Sequence, residues 1–424
     1  MIKTTNIKKI LRLRYTKPIS KNIFIPSVTS CTTGNTSYNN SNNKKILQFN
    51  NLIELIKNTK NKRLYSTGPI IPPVLNIQNN NINNLNKNIV LHNKFVTKPI
   101  YDGDTKIDPY YISGLTQADG SFNCGISISK SKFTKTLGFK PIFDICLDID
   151  SISVLIQIQK YFGCGRVSVV RSDNSVHFLV SNLQELKENI IPHFIKYPVF
   201  FNKLHAFELL VQIVNLMDVS QDLRTKNKPD ILRLAISMNS SSRRTPEQMN
   251  TFYNVLGIPV DKIPSKIEDK IKTINSKITP AFLTGMIDGD GSFYVIFTNK
   301  LKIIPAMKQC YGKNCAPFEE YFKKYLGDIG QVTIQDNIRI WTQKMLNILI
   351  NNVIPFMDSN TLHTKKKDHY QIWKKVCFTL KDEPKLSKNS LLYLVQLAYN
   401  MNKGGKRRKL TKDQYIQLIE STLK

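Results

Sequence analysis

ISGLTQADG (Ile112–Gly120) and LTGMIDGDG (Leu283–Gly291) resemble each other and little else in the chain. Each stretch predicts a short helix that carries small residues on one face and ends on an acidic residue, Asp119 in the first and Asp290 in the second. Because the motif occurs twice in one chain, two such helices can pack together and place two carboxylates side by side.

Similar landmarks follow each motif in the same order. In the first half, Tyr161 begins a Tyr-Phe-Gly segment, and Pro192 of an Ile-Pro segment follows 31 residues later. In the second half, Tyr325 and Pro355 occupy the equivalent positions and are 30 residues apart. Matched spacing over several landmarks indicates two copies of one α/β unit.

Local patterns predict the same elements in each unit: helix, two strands, helix, two strands, helix. Asp108-Pro109 and Thr279-Pro280 are helix caps followed by proline at the first helical position. Residues 122–129 alternate between apolar and polar, as in a half-buried strand, and hairpins are predicted at 167–180 and 331–343. Helices are predicted at 200–216 and 366–379. Pro305 lies where the second strand of the second unit should run, which predicts a bulged or eroded strand.

We therefore divide the 424 residues into four parts. Residues 1–104 are a basic, Asn-rich extension that we expect to be mostly disordered. Its acid-poor beginning and the stretch Arg63-Leu64-Tyr65-Ser66 are typical of a mitochondrial targeting segment, although base bias in an organelle-encoded gene would give a similar composition. The first repeat is predicted at 105–250, a linker at 251–278, and the second repeat with a basic C-terminal segment at 279–424.

The charge balance favours a polyanionic partner. The chain has 61 Lys and Arg against 31 Asp and Glu, a net charge of +30. Residues 1–101 contribute 16 basic residues and one acid, and the remaining residues 45 basic against 30 acidic, so each part carries +15. The repeats are therefore basic in their own right, which favours nucleic acid binding. An AT-rich gene, which enriches Lys and Asn, is the alternative explanation.

Cysteine usage and hydropathy bound the class of protein further. The seven cysteines are odd in number and scattered, which favours free thiols in a reducing compartment. Cys310 and Cys315 have no matching Cys or His pair at zinc spacing. No run of eighteen apolar residues occurs, so no membrane span is expected.

The motif residues predict a metal site. Gly114 and Ala118, like Gly285 and Gly289, are four residues apart and would let the helix backbones approach closely. Two carboxylates that meet at helix C-termini repel each other and the helix dipoles, so a divalent cation is expected to offset them. Mg²⁺ suits a site of few carboxylates, waters and phosphates, and could support displacement at phosphorus.

Two other acidic motifs share some of these residues. Asp288, Asp290 and Ser292 begin like a Ca²⁺ loop, but the sixth position is Phe293 and the twelfth is Asn299, where such a loop needs Gly and Glu. The order Asp-Gly-Ser also differs from the Asp-Ser/Thr-Gly of an aspartic-protease dyad. Neither alternative fits as well as a paired metal site.

The chain resembles the LAGLIDADG homing endonucleases, in particular the single-chain, two-repeat type encoded in fungal mitochondrial introns. The features that carry this resemblance are the paired motifs, the Tyr-x-Gly turns, the Ile-Pro segments and a late Asn-Met-Asn-Lys-Gly stretch. The resemblance covers about residues 105–405. It implies an α+β fold of two αββαββα repeats, whose saddle-shaped sheets lie along the DNA major groove. It also implies Mg²⁺-dependent cleavage of both strands at a long asymmetric site, leaving 3′ overhangs. The catalytic acids of the family match Asp119 and Asp290, and its basic residues near the metals are assigned to Lys140 and Lys308.

Sheet residues that would face DNA are candidates for base or phosphate contacts. In the second hairpin the alternation assigns Val332, Ile334, Ile338 and Ile340 to one face and the polar residues to the other. The DNA-binding candidates are Asn123, Ser127, Ser129, Lys140, Arg166, Ser168, His177, Lys308, Gln331, Thr333, Gln335, Arg339, Trp341 and Gln343.

The sequence thus predicts a mitochondrial, intron-encoded endonuclease that cuts double-stranded DNA as a monomer with Mg²⁺. An RNA-binding intron maturase on the same scaffold and a DNA-binding protein that has lost catalysis remain alternatives. Two close carboxylates favour the nuclease, because RNA binding alone would gain nothing from them.

Overall fold

The computed structural model describes residues 107–130, 134–238, 244–258, 278–327, 330–404 and 408–423. The N-terminal extension, with the targeting segment predicted there, lies outside these residues, as does most of the linker predicted at 251–278. A helix, Pro246–Leu256, spans the boundary predicted at residue 250.

The first repeat has the predicted order of elements. The short helix Ile191–Lys196 continues an α-helical turn, Leu183–Glu185, and a π-helical turn, Leu186–Ile190. Four further helices follow the αββαββα unit. The elements are α1 (Pro109–Asp119), β1 (Gly120–Lys130), β2 (Lys135–Asp148), α2 (Ile152–Phe162), β3 (Arg166–Val170), β4 (Ser175–Val180), α3 (Ile191–Lys196), α4 (Phe201–Met217), α5 (Gln221–Lys226), α6 (Lys228–Ser237) and α7 (Pro246–Leu256).

The second repeat follows the same plan. A turn at Leu346–Ile348 and a π-helical turn, Leu349–Val353, again precede the short helix after the fourth strand. The elements are α8 (Pro280–Asp290), β5 (Gly291–Phe297), β6 (Ile303–Gly312), α9 (Phe318–Leu326), β7 (Gln331–Gln335), β8 (Ile338–Gln343), α10 (Ile354–Ser359), α11 (Lys366–Asp382), α12 (Lys388–Ala398) and α13 (Lys412–Thr422). The predicted α+β fold of two αββαββα repeats is confirmed.

The predicted caps explain why the motif helices begin where they do. The carboxylate of Asp108 accepts a hydrogen bond of 2.7 Å from the Tyr110 amide, and the hydroxyl of Thr279 accepts one of 3.2 Å from the Phe282 amide. Both helices end where the chain turns directly into a strand at an extended glycine, Gly120 or Gly291. Each motif acid is therefore fixed at a junction between a helix and a strand.

Each repeat forms one antiparallel sheet, ordered β1-β2-β4-β3 in the first and β5-β6-β8-β7 in the second. One face of each sheet packs against its helices. Phe122, Phe143 and Phe178 lie in the first core, and Phe293, Met307 and Trp341 in the second. The opposite sheet faces carry the side chains that can meet a ligand.

The interruption expected at Pro305 does not occur. Strand β6 runs from Ile303 to Gly312 and pairs Pro305 with Val295 on β5. On its other side β6 pairs with β8 only from Met307 onward. The proline thus lies where β6 has one strand neighbour, and a missing donor is tolerated at such an edge position.

Candidate active site and nucleic-acid interface

Helices α1 and α8 pack backbone against backbone through their glycines. A Cβ atom added to Gly114 would lie 1.9 Å from the Phe282 carbonyl oxygen, and one added to Gly285 would lie 2.2 Å from that of Tyr111. Neither distance leaves room for a methyl group. A Cβ on Gly289 would meet that of Ala118 at 2.4 Å. All four residues assigned to the helix interface from sequence lie there.

This approach brings the ends of the two motif helices together. A Cβ on Gly289 would lie 3.0 Å from Oδ2 of Asp119, so the Asp119 carboxylate contacts the residue that directly precedes Asp290. Each acid also ends its helix, where the helix dipole adds partial negative charge. The centre of the site therefore concentrates negative charge contributed by both repeats.

A lysine from the first repeat offsets part of this charge. Lys203, near the start of α4, donates a hydrogen bond from Nζ to the carbonyl oxygen of Gly120. Burial lowers the pKa of Lys203, while the carboxylates of Asp290 and Asp119 oppose this shift. The ammonium group therefore lies within electrostatic range of both motif acids.

The second repeat supplies an equivalent lysine. Nζ of Lys366, the first residue of α11, donates to the carbonyl oxygens of Ile287 at 2.9 Å and Gly289 at 2.8 Å. Burial again lowers its pKa, and the charges of Asp288, Asp119 and Asp290 oppose the shift. The centre of the site thus combines two carboxylates with two enclosed amines.

The sixth residue of each motif holds the segment that positions the lysine. Oε1 of Gln117 accepts a hydrogen bond of 2.8 Å from the Phe200 amide, three residues before Lys203. Asp288 accepts bonds of 2.6 and 3.0 Å from the amides of His363 and Thr364, just before Lys366. Asp288 is buried, and its carboxylate holds the backbone before Lys366. It is therefore not exposed in the site as a third carboxylate beside Asp119 and Asp290.

Sequence reasoning missed both lysines. The family resemblance led to Lys140 and Lys308 as the basic residues near the centre. Lys140 pairs with Gly125, on the order of 15 Å along β1 from the helix end, which is too far to act at the acids. Lys308 pairs with Ser292, and its charge and that of Asp290 both influence the pKa of Cys310. The available signal was that each lysine lies at the start of the helix after the Ile-Pro segment.

On the first sheet the sequence-predicted candidates share one face. The pairs Gly125–Lys140 and Ser168–His177 lie directly opposite each other, so the two members of each pair point the same way. The side chains on the other face, such as Phe122 and Phe178, are buried. The candidates on the outer face are Asn123, Ser127, Ser129, Lys140, Arg166, Ser168 and His177.

On the second sheet the predicted face was partly wrong. A two-residue turn pairs Gln335 with Ile338, so odd-numbered residues of β7 share a face with even-numbered residues of β8. Gln331, Thr333, Gln335 and Lys308 therefore lie on the outer face together with Ile338, Ile340 and Thr342.

Three of the second-sheet candidates point to the helices instead. Trp341 and Gln343 are each 1% exposed. Nε of Arg339 lies 2.6 Å from Oε1 of Glu319, on α9. The alternation along β8 is as predicted, but the two-residue turn sets its phase, so the odd-numbered residues of β8 face the helices. These three residues are not candidates for DNA contacts.

Two features of the described residues bear on cofactor and membrane binding. Within the described ranges, no three His, Cys, Asp or Glu side chains come together as a metal-binding group. None of the helices found there is long and apolar enough to span a membrane. Any metal held by Asp119 and Asp290 would need further ligands from water, backbone or substrate.

Comparison with known proteins identifies the class. The model of the protein family described as "LAGLIDADG endonuclease" matches two segments of the chain, residues 112–214 and 283–377. These segments contain the two motif helices and the two sheets. The chain belongs to the LAGLIDADG endonuclease family.

Individual relatives agree with this assignment. Probable intron-encoded endonuclease 2 of Neurospora crassa is 23% identical over 326 residues, covering 75% of this chain and 70% of its own. Probable intron-encoded DNA endonuclease 1 of Mycosarcoma maydis is 26% identical over 267 residues, covering 61% and 96%. The crystal structure of I-GzeII in complex with its DNA target matches with a TM-score of 0.59 at 24% identity, over 71% of this chain and all of that one. This last likeness supports the fold.

Proposed function

We propose that the chain is a site-specific homing endonuclease that hydrolyses both strands of a long, asymmetric double-stranded DNA target with Mg²⁺. The observation that carries this proposal is the pairing of Asp119 and Asp290 with Lys203 and Lys366 between two polar sheet faces. Relatives named as intron-encoded DNA endonucleases support the same activity.

The donor set fits Mg²⁺. Asp119 and Asp290 offer hard oxygen ligands, and the described residues hold no third acidic, His or Cys side chain in a common metal-binding group. Mg²⁺ commonly combines one or two carboxylates with waters and substrate phosphates. When bound, it would supply charge stabilisation at the scissile phosphate and a more acidic water.

The protein's own groups then have distinct tasks in an in-line displacement. A water oxygen forms a bond to phosphorus while the bond from phosphorus to the leaving 3′ oxygen breaks. Burial lowers the pKa values of Lys203 and Lys366, and the nearby carboxylates oppose that shift. In their ammonium form the two amines stabilise the negative charge that develops on the phosphate oxygens, while the attacking water releases its proton to solvent and the leaving 3′ oxygen takes one from solvent. The backbone bonds of both amines hold them beside the acids before DNA arrives.

Assembly and location follow from the same features. Both halves of the site come from one chain, so we propose that the protein acts as a monomer. The basic, acid-poor first hundred residues and the intron-encoded fungal relatives support a mitochondrial protein that works in the matrix. Intron RNA is a second potential ligand of the basic surface, but RNA binding gives no reason for two enclosed lysines beside two carboxylates.

The test is cleavage of a DNA fragment that spans the intronless host gene, by the full chain, with Mg²⁺ and with Ca²⁺. We expect a specific double-strand break in Mg²⁺. Asp119→Asn and Asp290→Asn should lower the cleavage rate by about 10³-fold, since each removes a charged metal ligand, and should leave DNA binding intact. Asp222→Asn, an exposed change of equal charge on α5, should cut normally. Wild-type rates in both motif variants would overturn the assigned roles, and binding without any cleavage would overturn the proposed activity.

A further inference from the structure

The two sheets place opposite charges at equivalent positions next to the motif acids. Asp144 on β2 lies opposite Ser121, the second residue after Asp119. Lys308 on β6 lies opposite Ser292, the second residue after Asp290. Both side chains are on the outer sheet face. The two repeats therefore differ by an inversion of charge at the position closest to the centre of the interface.

Asp144 is held by a short chain of hydrogen bonds. Nδ1 of His177 lies 3.0 Å from both carboxylate oxygens of Asp144. Nε2 of His177 lies 3.2 Å from Oγ of Ser175, which donates to Asp173 at 2.7 Å. The hydrogen bond to Asp144 raises the pKa of His177 to about 10, so the imidazole is protonated at neutral pH. With both ring N–H groups directed at these oxygens, His177 fixes the carboxylate in place.

The group that this arrangement presents outward is a hydrogen-bond acceptor. The side chains of Asp144 and His177 are 19% and 22% exposed, so a ligand can still reach the carboxylate. Each carboxylate oxygen can accept more than one hydrogen bond. A bare carboxylate would repel DNA phosphates, but the imidazolium beside it removes most of that cost.

The equivalent place in the second repeat presents donors. The Lys308 ammonium group lies 5.9 Å from the ring centre of Tyr294. Ile340 replaces His177, since Ile340 lies opposite Cys310 as His177 lies opposite Cys146. Here the sheet carries a cation flanked by apolar and aromatic groups.

These two environments match different bases in the major groove. Cytosine offers an amino donor and no acceptor of its own there, whereas guanine offers two acceptors, O6 and N7. Adenine places N7 beside its amino group and thymine presents O4, so both would set an acceptor against the Asp144 carboxylate.

We propose that Asp144 and Lys308 determine base preference at equivalent positions of the two half-sites, Asp144 selecting cytosine through its amino group and Lys308 selecting guanine through O6 and N7. This inference rests on the proposed function, because it assumes that the outer sheet faces bind DNA. It also gives the target an asymmetry near its centre that the pseudo-symmetric fold alone would not produce.

The test is binding selection from a duplex library with a randomised central region, using the full chain in Ca²⁺, followed by sequencing. The wild type should enrich a C·G pair in one half-site and a guanine at the matching position of the other. Asp144→Asn should lower the cytosine preference at its position by about 5-fold or more and raise adenine, which pairs with an amide side chain. Lys308→Gln should change only the other half-site.

Two controls separate base reading from folding and from net charge. Asp144→Glu keeps the carboxylate and should retain the cytosine preference, whereas Asp222→Asn changes the charge equally and should leave the selected motif unchanged. An enriched motif that neither Asp144→Asn nor Lys308→Gln alters would overturn this inference and leave the proposed function standing. Failure of the wild type to enrich any motif would overturn both.

Discussion

The two repeats build the same backbone with different side chains. At the sixth motif position the first repeat has Gln117 and the second has Asp288, yet each accepts hydrogen bonds from the backbone just before the lysine near the motif acids. Asp288 also accepts a bond of 2.6 Å from the hydroxyl of Tyr111, and the residue equivalent to Tyr111 in the second repeat is Phe282. Phe282 has no hydroxyl group and so has no equivalent bond to donate. The backbone contacts are therefore kept by both repeats, while the residues that make them differ.

The outer sheet faces differ more. The first carries Asn123, Ser127, Lys140 and the Asp144–His177 pair, whereas the second places Ile338 and Ile340 among its polar residues. Nothing in the packing of the cores requires this difference, because these side chains point away from the helices. It is expected if the two halves contact different DNA sequences.

The largest effect should come from the two lysines, and it tests whether the repeats contribute equally to catalysis. Lys203→Met and Lys366→Met each remove an amine beside the acids and should lower the cleavage rate by about 10²- to 10⁴-fold. DNA affinity measured in Ca²⁺ should change little. Lys381→Met, on the exposed end of α11, is the matched control. A rate within a few-fold of wild type for one lysine variant alone would show that the site is functionally asymmetric.

The helix interface should respond almost as strongly. Gly114→Ala and Gly285→Ala each force a methyl group to within 1.9 or 2.2 Å of a backbone oxygen. Each should lower the free energy of unfolding by about 3 kcal/mol, measured by urea titration. Gly125→Ala is the control, because its nearest neighbour would be 3.7 Å away. If the motif glycines tolerate alanine as well as Gly125 does, the close packing of α1 and α8 is wrong.

Replacing Tyr111 and Asp288 by the residues found at the equivalent places of the other repeat should change the free energy of unfolding by a smaller amount. Tyr111→Phe removes a buried donor to Asp288 and should cost about 2 kcal/mol of stability. Burial and the charge of Asp288 raise the pKa of Tyr111, so the hydroxyl stays protonated as this donor requires. The double variant Tyr111→Phe with Asp288→Gln copies the first repeat and should cost less than the sum of the single changes. Strict additivity in this double-mutant cycle would contradict the coupling.

The smallest expected effect is the part of the pH dependence of stability that His193 contributes in the first repeat. Burial lowers the pKa of His193 from 6.5 to about 3, and its equivalent in the second repeat is Phe356. The unfolded chain therefore binds a proton at a higher pH than the folded one. The contribution of His193 to stability falls as the pH drops below about 6.5 and continues to fall towards 3.

Between pH 7 and 5.5 this loss should be about 1 kcal/mol. His193→Phe, which copies the second repeat, should remove that part of the slope in urea titrations at the two pH values. The raised pKa of His177 has the opposite sign, since its stabilisation is lost only as the pH rises towards 10. An unchanged acid slope in His193→Phe would show that another group is responsible.

Sequence patterns predicted much of this fold because its signals are local. Caps at Asp108 and Thr279, the duplicated glycines and the alternating strands each depend on residues a few positions apart. The hairpin predicted at 331–343 is confirmed, yet the face predicted for Arg339, Trp341 and Gln343 was wrong. A face depends on which residues pair across the turn, and alternation within one strand does not show that.

The sequence by itself determined the two repeats, the motif helices, the motif acids Asp119 and Asp290 and the basic character of the chain, since these follow from residue type and short-range periodicity. Only the tertiary structure decided that Lys203 and Lys366 join the acids, that Asp288 is a buried scaffold residue, and that Asp144 pairs with His177. Lys203 lies 84 positions from Asp119 in the sequence, and contacts over such separations depend on how strands and helices pack together.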